Sequence, residues 1–214
     1  MIKKPYIKEI VSSIQKNILL ERKTDQISLE LSRNVIQAFK KGEPLFIEGL
    51  YLERGDEYAV FDFSCKFEED EFLEEPYSIS AYADMEDISL TITFNPNEFP
   101  KSMNDLVSEV KETIEHELEH VEQQNFEDMY VYNNIDSTEY FKYLISPVEI
   151  PAYVRGLIKR AKTKKVSLDS AMEQWADENK KMFNDFKHEW PVVKNQWMNY
   201  AIRMVKKQKI KKFY

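Results

Sequence analysis

Residues 57–67 read EYAVFDFSCKF. Phe61, Phe63, Cys65 and Phe67 alternate with Val60, Asp62, Ser64 and Lys66, which is the period of a half-buried strand. On the N-terminal side, LFIEGLYLER (45–54) is joined to this run through Gly55 and Asp56, a pair suited to a hairpin turn. On the C-terminal side, YSISAYA (77–83) and ISLTITF (88–94) alternate as well. Three or four antiparallel strands are therefore expected between residues 45 and 94.

The period changes on both sides of this region. Ile7, Ile10, Val11, Ile14 and Ile18 recur at helical spacing and predict an amphipathic opening helix. Residues 25–41 read as mostly helical, with Gly42 as the stop, although ISLEL (27–31) fits either structure. After NPNEFP (95–100) the pattern is helical again. One helix starts at Ser102 or Asn104 and runs to about Gln124, a second runs from near Ser146 or Ile150 to about Lys164, and a third starts at Ser167. The Trp190-Pro191 pair predicts a break before a last helix. The expected fold is α+β: a small antiparallel or mixed sheet in a strand-rich part, 45–94, then a helical C-terminal half, 102–210, in a single domain spanning 1–214.

Composition narrows the function classes. The 214 residues are 43% hydrophobic and 13% aromatic, enough for a substantial core. The only cysteine, Cys65, rules out an intrachain disulfide framework and a multi-cysteine zinc site. Lys8, Glu9 and Gln15 interrupt any apolar run near the start, so no signal peptide is expected, and no run is long enough to span a membrane. A soluble, cytoplasmic protein is the expectation. The four glycines, Gly42, Gly49, Gly55 and Gly156, build no phosphate-cradling loop. Charge is uneven: EEDEFLEE (68–75) is acidic, while residues 194–214 contain no acid and end in Arg203, Lys206, Lys207, Lys209, Lys211 and Lys212. With a net charge of −8, nucleic acid is not the expected partner, and the basic tail is the only hint of one.

Two of the three histidines occur in TIEHELEHVEQQ (113–124). With His116 at zero on a helical wheel, His120 falls at about 40°, so both imidazoles leave the same face. Val107, Val110, Ile114, Leu118 and Val121 form a core stripe at about 120° to 200°, and Glu112, Glu115, Glu119 and Glu122 occupy about 240° to 320°, the expected solvent side. Glu117, at about 100°, stands apart from those glutamates. Zinc accepts two imidazole nitrogens four residues apart on one helix, and a glutamate after the first histidine can take a proton from the activated water. His116, Glu117 and His120 match that H-E-x-x-H pattern.

A catalytic zinc site needs a third protein ligand. Gln123 and Phe126 stand where an extended form of the motif would place a glycine and a third histidine, and His188 has no recognisable spacing. A carboxylate remains: Glu127, Asp128, Asp136, Glu139 or Glu149. Glu149, in SPVEIPAYVRGLIKRAK (146–162), is the choice, because Ala152, Tyr153 and Gly156 follow on roughly its own helix face and permit close approach of another helix. The same segment also reads as a capping box, with Ser146 as the cap and Glu149 bonding back to it.

HELEH (116–120) and EIPAY (149–153), in this order after a strand, resemble the zincin metallopeptidases, and more narrowly the gluzincin type. The segment SPVEIPAYVRGL (146–157) is also similar to small uncharacterised H-E-x-x-H proteins of tailed phages. The resemblance implies a zincin-like fold and a Zn2+ ion held by His116, His120 and Glu149. It further implies hydrolysis of peptide bonds in a peptide or protein substrate, with Glu117 as general base. It also implies that the last strand before the histidine helix, ISLTITF, pairs with extended substrate, a segment that reads equally well as a plain core strand. Tyr153, Tyr140 and His188 are candidates to stabilise the oxyanion, and no spacing selects one. The alternative is a zincin-fold interaction or regulatory protein without turnover. Residues 125–145 form a long connection that would suit a lid.

Overall fold

A computed structural model describes residues 23–54, 56–98, 103–126 and 140–211. The expected opening helix over residues 7–18 lies outside these residues, and so does most of the 125–145 connection. The architecture is α+β, a four-stranded mixed sheet followed by six helical segments. The described elements fall into two compact units.

The first unit holds α1 (Lys23–Lys41), β1 (Leu45–Arg54), β2 (Glu57–Glu69), β3 (Tyr77–Ala83), β4 (Asp87–Phe94) and α2 (Met103–Phe126). Helix α1 ends where Gly42 predicts. Gly42 adopts φ 68°, and its N–H donates to the Phe39 carbonyl (3.0 Å) while the Glu43 N–H donates to Ala38 (3.2 Å). This pair of bonds is a Schellman closure, which places the residue just past the helix, here Gly42, in the left-handed region and so favours glycine. ISLEL is helical.

Strands β1 and β2 pair antiparallel, with Arg54 opposite Glu57, as the hairpin reading requires. A register shift lies between Ile47 and Leu50, where Gly49 takes φ 65° and its N–H donates to Asp62 Oδ1 at 2.9 Å. This is a bulge that glycine makes possible. The sheet order is β1-β2-β4-β3. Of the antiparallel or mixed sheet expected, the mixed form is present: the central β2–β4 pair is parallel, and the pairs on either side of it are antiparallel. The β2–β3 connection (70–76) passes over the end of β4, and the buried Asn95 holds it by donating Nδ2 to the Glu71 (3.3 Å) and Leu73 (3.0 Å) carbonyls.

Period-two burial follows the sequence: Phe61, Phe63 and Cys65 of β2, and Ile88, Leu90 and Ile92 of β4, are all buried. They meet Leu31 and Val35 of α1 and Leu106, Val110, Ile114, Leu118 and Val121 of α2 in one core. The sheet therefore covers one face with two helices.

The described part of the second unit is helical: α3 (Tyr140–Leu144), α4 (Glu149–Lys164), α5 (Leu168–Glu178), a 3-10 turn (Lys180–Met182) and α6 (Phe186–Lys211). Ser167 caps α5, its side chain accepting from the Ser170 N–H at 3.0 Å. The core is aromatic. Trp197 is fully buried, stacks on Tyr153 (4.9 Å between ring centroids) and donates Nε1–H to the Leu144 carbonyl at 2.9 Å. Trp175, Trp190 and Phe183 close the cluster. Pro191 does not break the chain as the sequence suggests but lies inside α6. Its missing N–H would have bonded the Lys187 carbonyl; both residues are exposed, so water can satisfy that carbonyl, while Trp190 anchors the turn in the core. Among the described residues no helix is long and apolar enough to cross a membrane.

Candidate metal centre

Helix α2 positions the two histidines. Of the expected apolar stripe, Val110, Ile114, Leu118 and Val121 pack in the core with the sheet, while Val107 is half-buried. The opposite expectation, that Glu115 and Glu119 face solvent, is corrected: they are 7% and 3% exposed. Glu117 is buried too, and so is His120, whereas His116 is partly exposed. The helix is thus enclosed well beyond its apolar stripe, and three of its carboxylates lie out of bulk water. Burying carboxylates is costly unless cations or donors surround them.

His116 and His120 are brought together as their spacing requires. Their Nε2 atoms lie 3.1 Å apart and the rings meet edge to face, with centroids 4.8 Å apart. Two imidazole nitrogens on a tetrahedral zinc, at the usual bond length, are separated by about 3.3 Å. The pair therefore fits such an ion with little rearrangement. On its far side, His120 Nδ1 lies 3.2 Å from Gln123 Oε1, and Gln123 is fully buried. In the sequence Gln123 serves only to exclude an extended motif; its i+3 position relative to His120 is the signal that places it beside that ring.

In the second unit, Glu149 opens α4 and is 4% exposed. Ser146 Oγ accepts from the Glu149 N–H at 3.2 Å, and the Ser146 carbonyl accepts from Ile150 at 3.1 Å. One arm of the capping reading is thus present. The N-cap position itself is Val148, which makes no side-chain capping bond, and the Ser146 N–H donates to the Tyr143 carbonyl at 3.0 Å, in place of the reciprocal carboxylate arm. Ala152 and Gly156, on the same helix face, are buried.

Tyr140 and Tyr153 share a hydrogen bond close to Glu149. Burial raises both phenol pKa values above the usual one, Tyr153 well above it, and the Glu149 charge adds to each rise. Both phenols therefore keep their protons at neutral pH. Tyr143 packs edge-on against Tyr153 at 6.3 Å. His188, the third oxyanion candidate, is at the surface, 83% exposed, with Nδ1 2.7 Å from Asp185 Oδ2. The other carboxylates weighed as third ligand, Glu127, Asp128, Asp136 and Glu139, lie outside the described residues.

Strand β4 is not available for an extended peptide. It is hydrogen-bonded to β2 along one edge and to β3 along the other, so ISLTITF is a core strand. The edge strand beside it is β3, against which α2 packs; Gln124 Nε2 donates to the Ala83 carbonyl at 3.5 Å. The chain matches no family model, no curated protein and no solved structure.

Proposed function

We propose that the protein is a zinc-dependent peptidase in which His116, His120 and Glu149 hold the metal and Glu117 is the general base. One observation carries the reading: two imidazole Nε2 atoms 3.1 Å apart on one helix, with a buried glutamate directly after the first histidine. Glu149 supports it as a buried carboxylate, and two imidazoles with one carboxylate are a donor set that zinc accepts. Bound there, the ion would supply Lewis acidity toward a substrate carbonyl and lower the pKa of water toward neutrality.

The chain's own groups supply the remaining roles. Glu117 takes the proton of the attacking water and returns it to the leaving amine. The protonated phenols of Tyr140 and Tyr153 are suited to donate to an oxyanion, and they are favoured over His188 because they neighbour Glu149. Substrate in extended form would add to β3, an edge strand of the sheet among the described residues.

The deciding experiment is zinc per chain in wild type and Glu149→Ala, followed by cleavage of an unfolded protein substrate by wild type and Glu117→Gln. About one zinc in wild type, its loss in Glu149→Ala, and cleavage that disappears in Glu117→Gln are expected. Absence of zinc in wild type after reconstitution would overturn the reading. The internal position of β4 favours one second reading, a metal-holding interaction protein without turnover, because the strand expected to receive substrate is already paired. Zinc binding with no cleavage of any unfolded substrate would select it.

A further inference from the structure

We infer that the sheet face turned away from the helices is a docking surface for a basic, Lys- or Arg-bearing segment of a partner protein. The inference is independent of the metal-centre reading, because every residue it uses lies in the sheet of the first unit.

The strand period that buries Phe61, Phe63, Ile88 and Leu90 sends their neighbours to the opposite face. A solvated sheet face ordinarily carries polar residues. This one also carries Tyr58 (71% exposed), Tyr51 (63%), Phe46 (62%) and Tyr82 (52%), large rings left open to water. The register places them. Phe46, Ser64, Ser89 and Tyr82 form one row across all four strands. The two serines are small and lie between the aromatic ends, which stand about 14 Å apart at three strand spacings. Tyr51 lies opposite Val60, two residues before Asp62, and so on the same face.

Carboxylates lie between these rings. Asp62 and Asp87 are partners in the parallel β2–β4 pair, and the Gly49 N–H donates to Asp62 Oδ1 at 2.9 Å. Like charges side by side on neighbouring strands are destabilising, so the fold carries a cost here that a cation on this face relieves. Glu48, Glu53 and Glu68 share the face by the same alternation. Among its described residues Lys66 is the one cation, and it pairs with Glu68 at 2.9 Å. Carboxylates beside open aromatic rings suit an ammonium or guanidinium, which makes charge-assisted hydrogen bonds to the first and cation–π contacts with the second. A second copy of the chain would bring the same acids face to face, and nucleic-acid phosphates would meet them with like charge.

The test is fluorescence anisotropy of a fluorescein-labelled hexa-arginine peptide titrated with the full chain at low salt. Saturable binding that weakens as salt rises is expected. Asp87→Asn removes one charge of the facing pair; it should melt no lower than wild type and bind the peptide about 3- to 10-fold more weakly. Tyr51→Ser leaves the net charge unchanged and should weaken binding by about 2- to 5-fold. Glu74→Gln with Glu75→Gln removes two exposed charges from the 70–76 connection, off this face, and should cost less affinity than Asp87→Asn alone. General attraction to a chain of net charge −8 predicts instead that this double variant loses the most and that Tyr51→Ser loses nothing, and either result would overturn the inference. Absence of saturable binding would do the same, as would a lower melting temperature of Asp87→Asn, which would make that carboxylate structural. Self-association of the protein alone that Tyr51→Ser abolishes would give the face to a second copy and also overturn it. If Asp87→Asn does not fold, Tyr51→Ser and the double variant still decide.

Discussion

His116 Nε2 and His120 Nε2 lie 3.1 Å apart, one helical turn from each other on α2, with His120 buried and His116 partly exposed. Either imidazole alone is a weak cation ligand, so removal of one should collapse binding. Zinc affinity of His120→Ala and of His116→Ala should each fall by more than about 100-fold, since a site reduced to two protein ligands lacks the set that holds the ion. Retention of wild-type affinity by either variant would remove that residue from the site.

Glu117 follows His116 and is buried. In the proposed mechanism it acts on the proton of water, not on the metal. Glu117→Gln should keep zinc stoichiometry and lower peptide hydrolysis by about 100- to 10,000-fold. Loss of zinc together with activity would instead make Glu117 a ligand or a structural support.

Cys65 sits in the sheet core, where burial raises its thiol pKa from 9.0 to about 12. The folded state therefore holds the neutral thiol after the unfolded chain has ionised. Its contribution to stability is complete below pH 9.0 and is lost as pH rises through about 12. Urea midpoints of wild type should fall more steeply above pH 9 than those of Cys65→Ala, and thiol reagents at pH 8 should label Cys65 only on unfolding. Parallel pH profiles would show that the thiol is not held neutral by the core.

Gly42 has open space around it, so its cost of substitution is conformational. Gly42→Ala should destabilise the first unit by about 1 kcal/mol, because alanine is strained at φ 68°. Thermal unfolding reads this directly, and an unchanged midpoint would argue against the Schellman closure.

Trp197 joins α6 to Tyr153 by stacking and to Leu144 by a hydrogen bond. Trp197→Ala should cost about 3–5 kcal/mol, the usual range for deleting a fully buried tryptophan. A loss under 1 kcal/mol would mean that the aromatic cluster repacks without it.

Much of the fold and part of the site were legible in the sequence, for local reasons. Alternation over 57–67 set the core face of β2, and Gly42 ended α1, because strand period and left-handed backbone are properties of a few consecutive residues. The i,i+4 spacing brought His116 and His120 together for the same reason. Other features depend on neighbours distant in sequence. Insertion of β4 between β2 and β3 made the central pair parallel and closed ISLTITF to a peptide, because pairing order depends on how the 70–76 connection crosses the sheet. Glu115 and Glu119 are buried although the wheel put them on the solvent side, since a wheel records only a helix's own periodicity. Pro191 stays within α6 because Trp190 is packed in an aromatic core assembled from several helices. The sequence by itself determined which atoms are available to a metal. Tertiary structure decided which of them are buried and which hydrogen bonds orient them, because burial and hydrogen-bond direction come from residues that are neighbours only after folding.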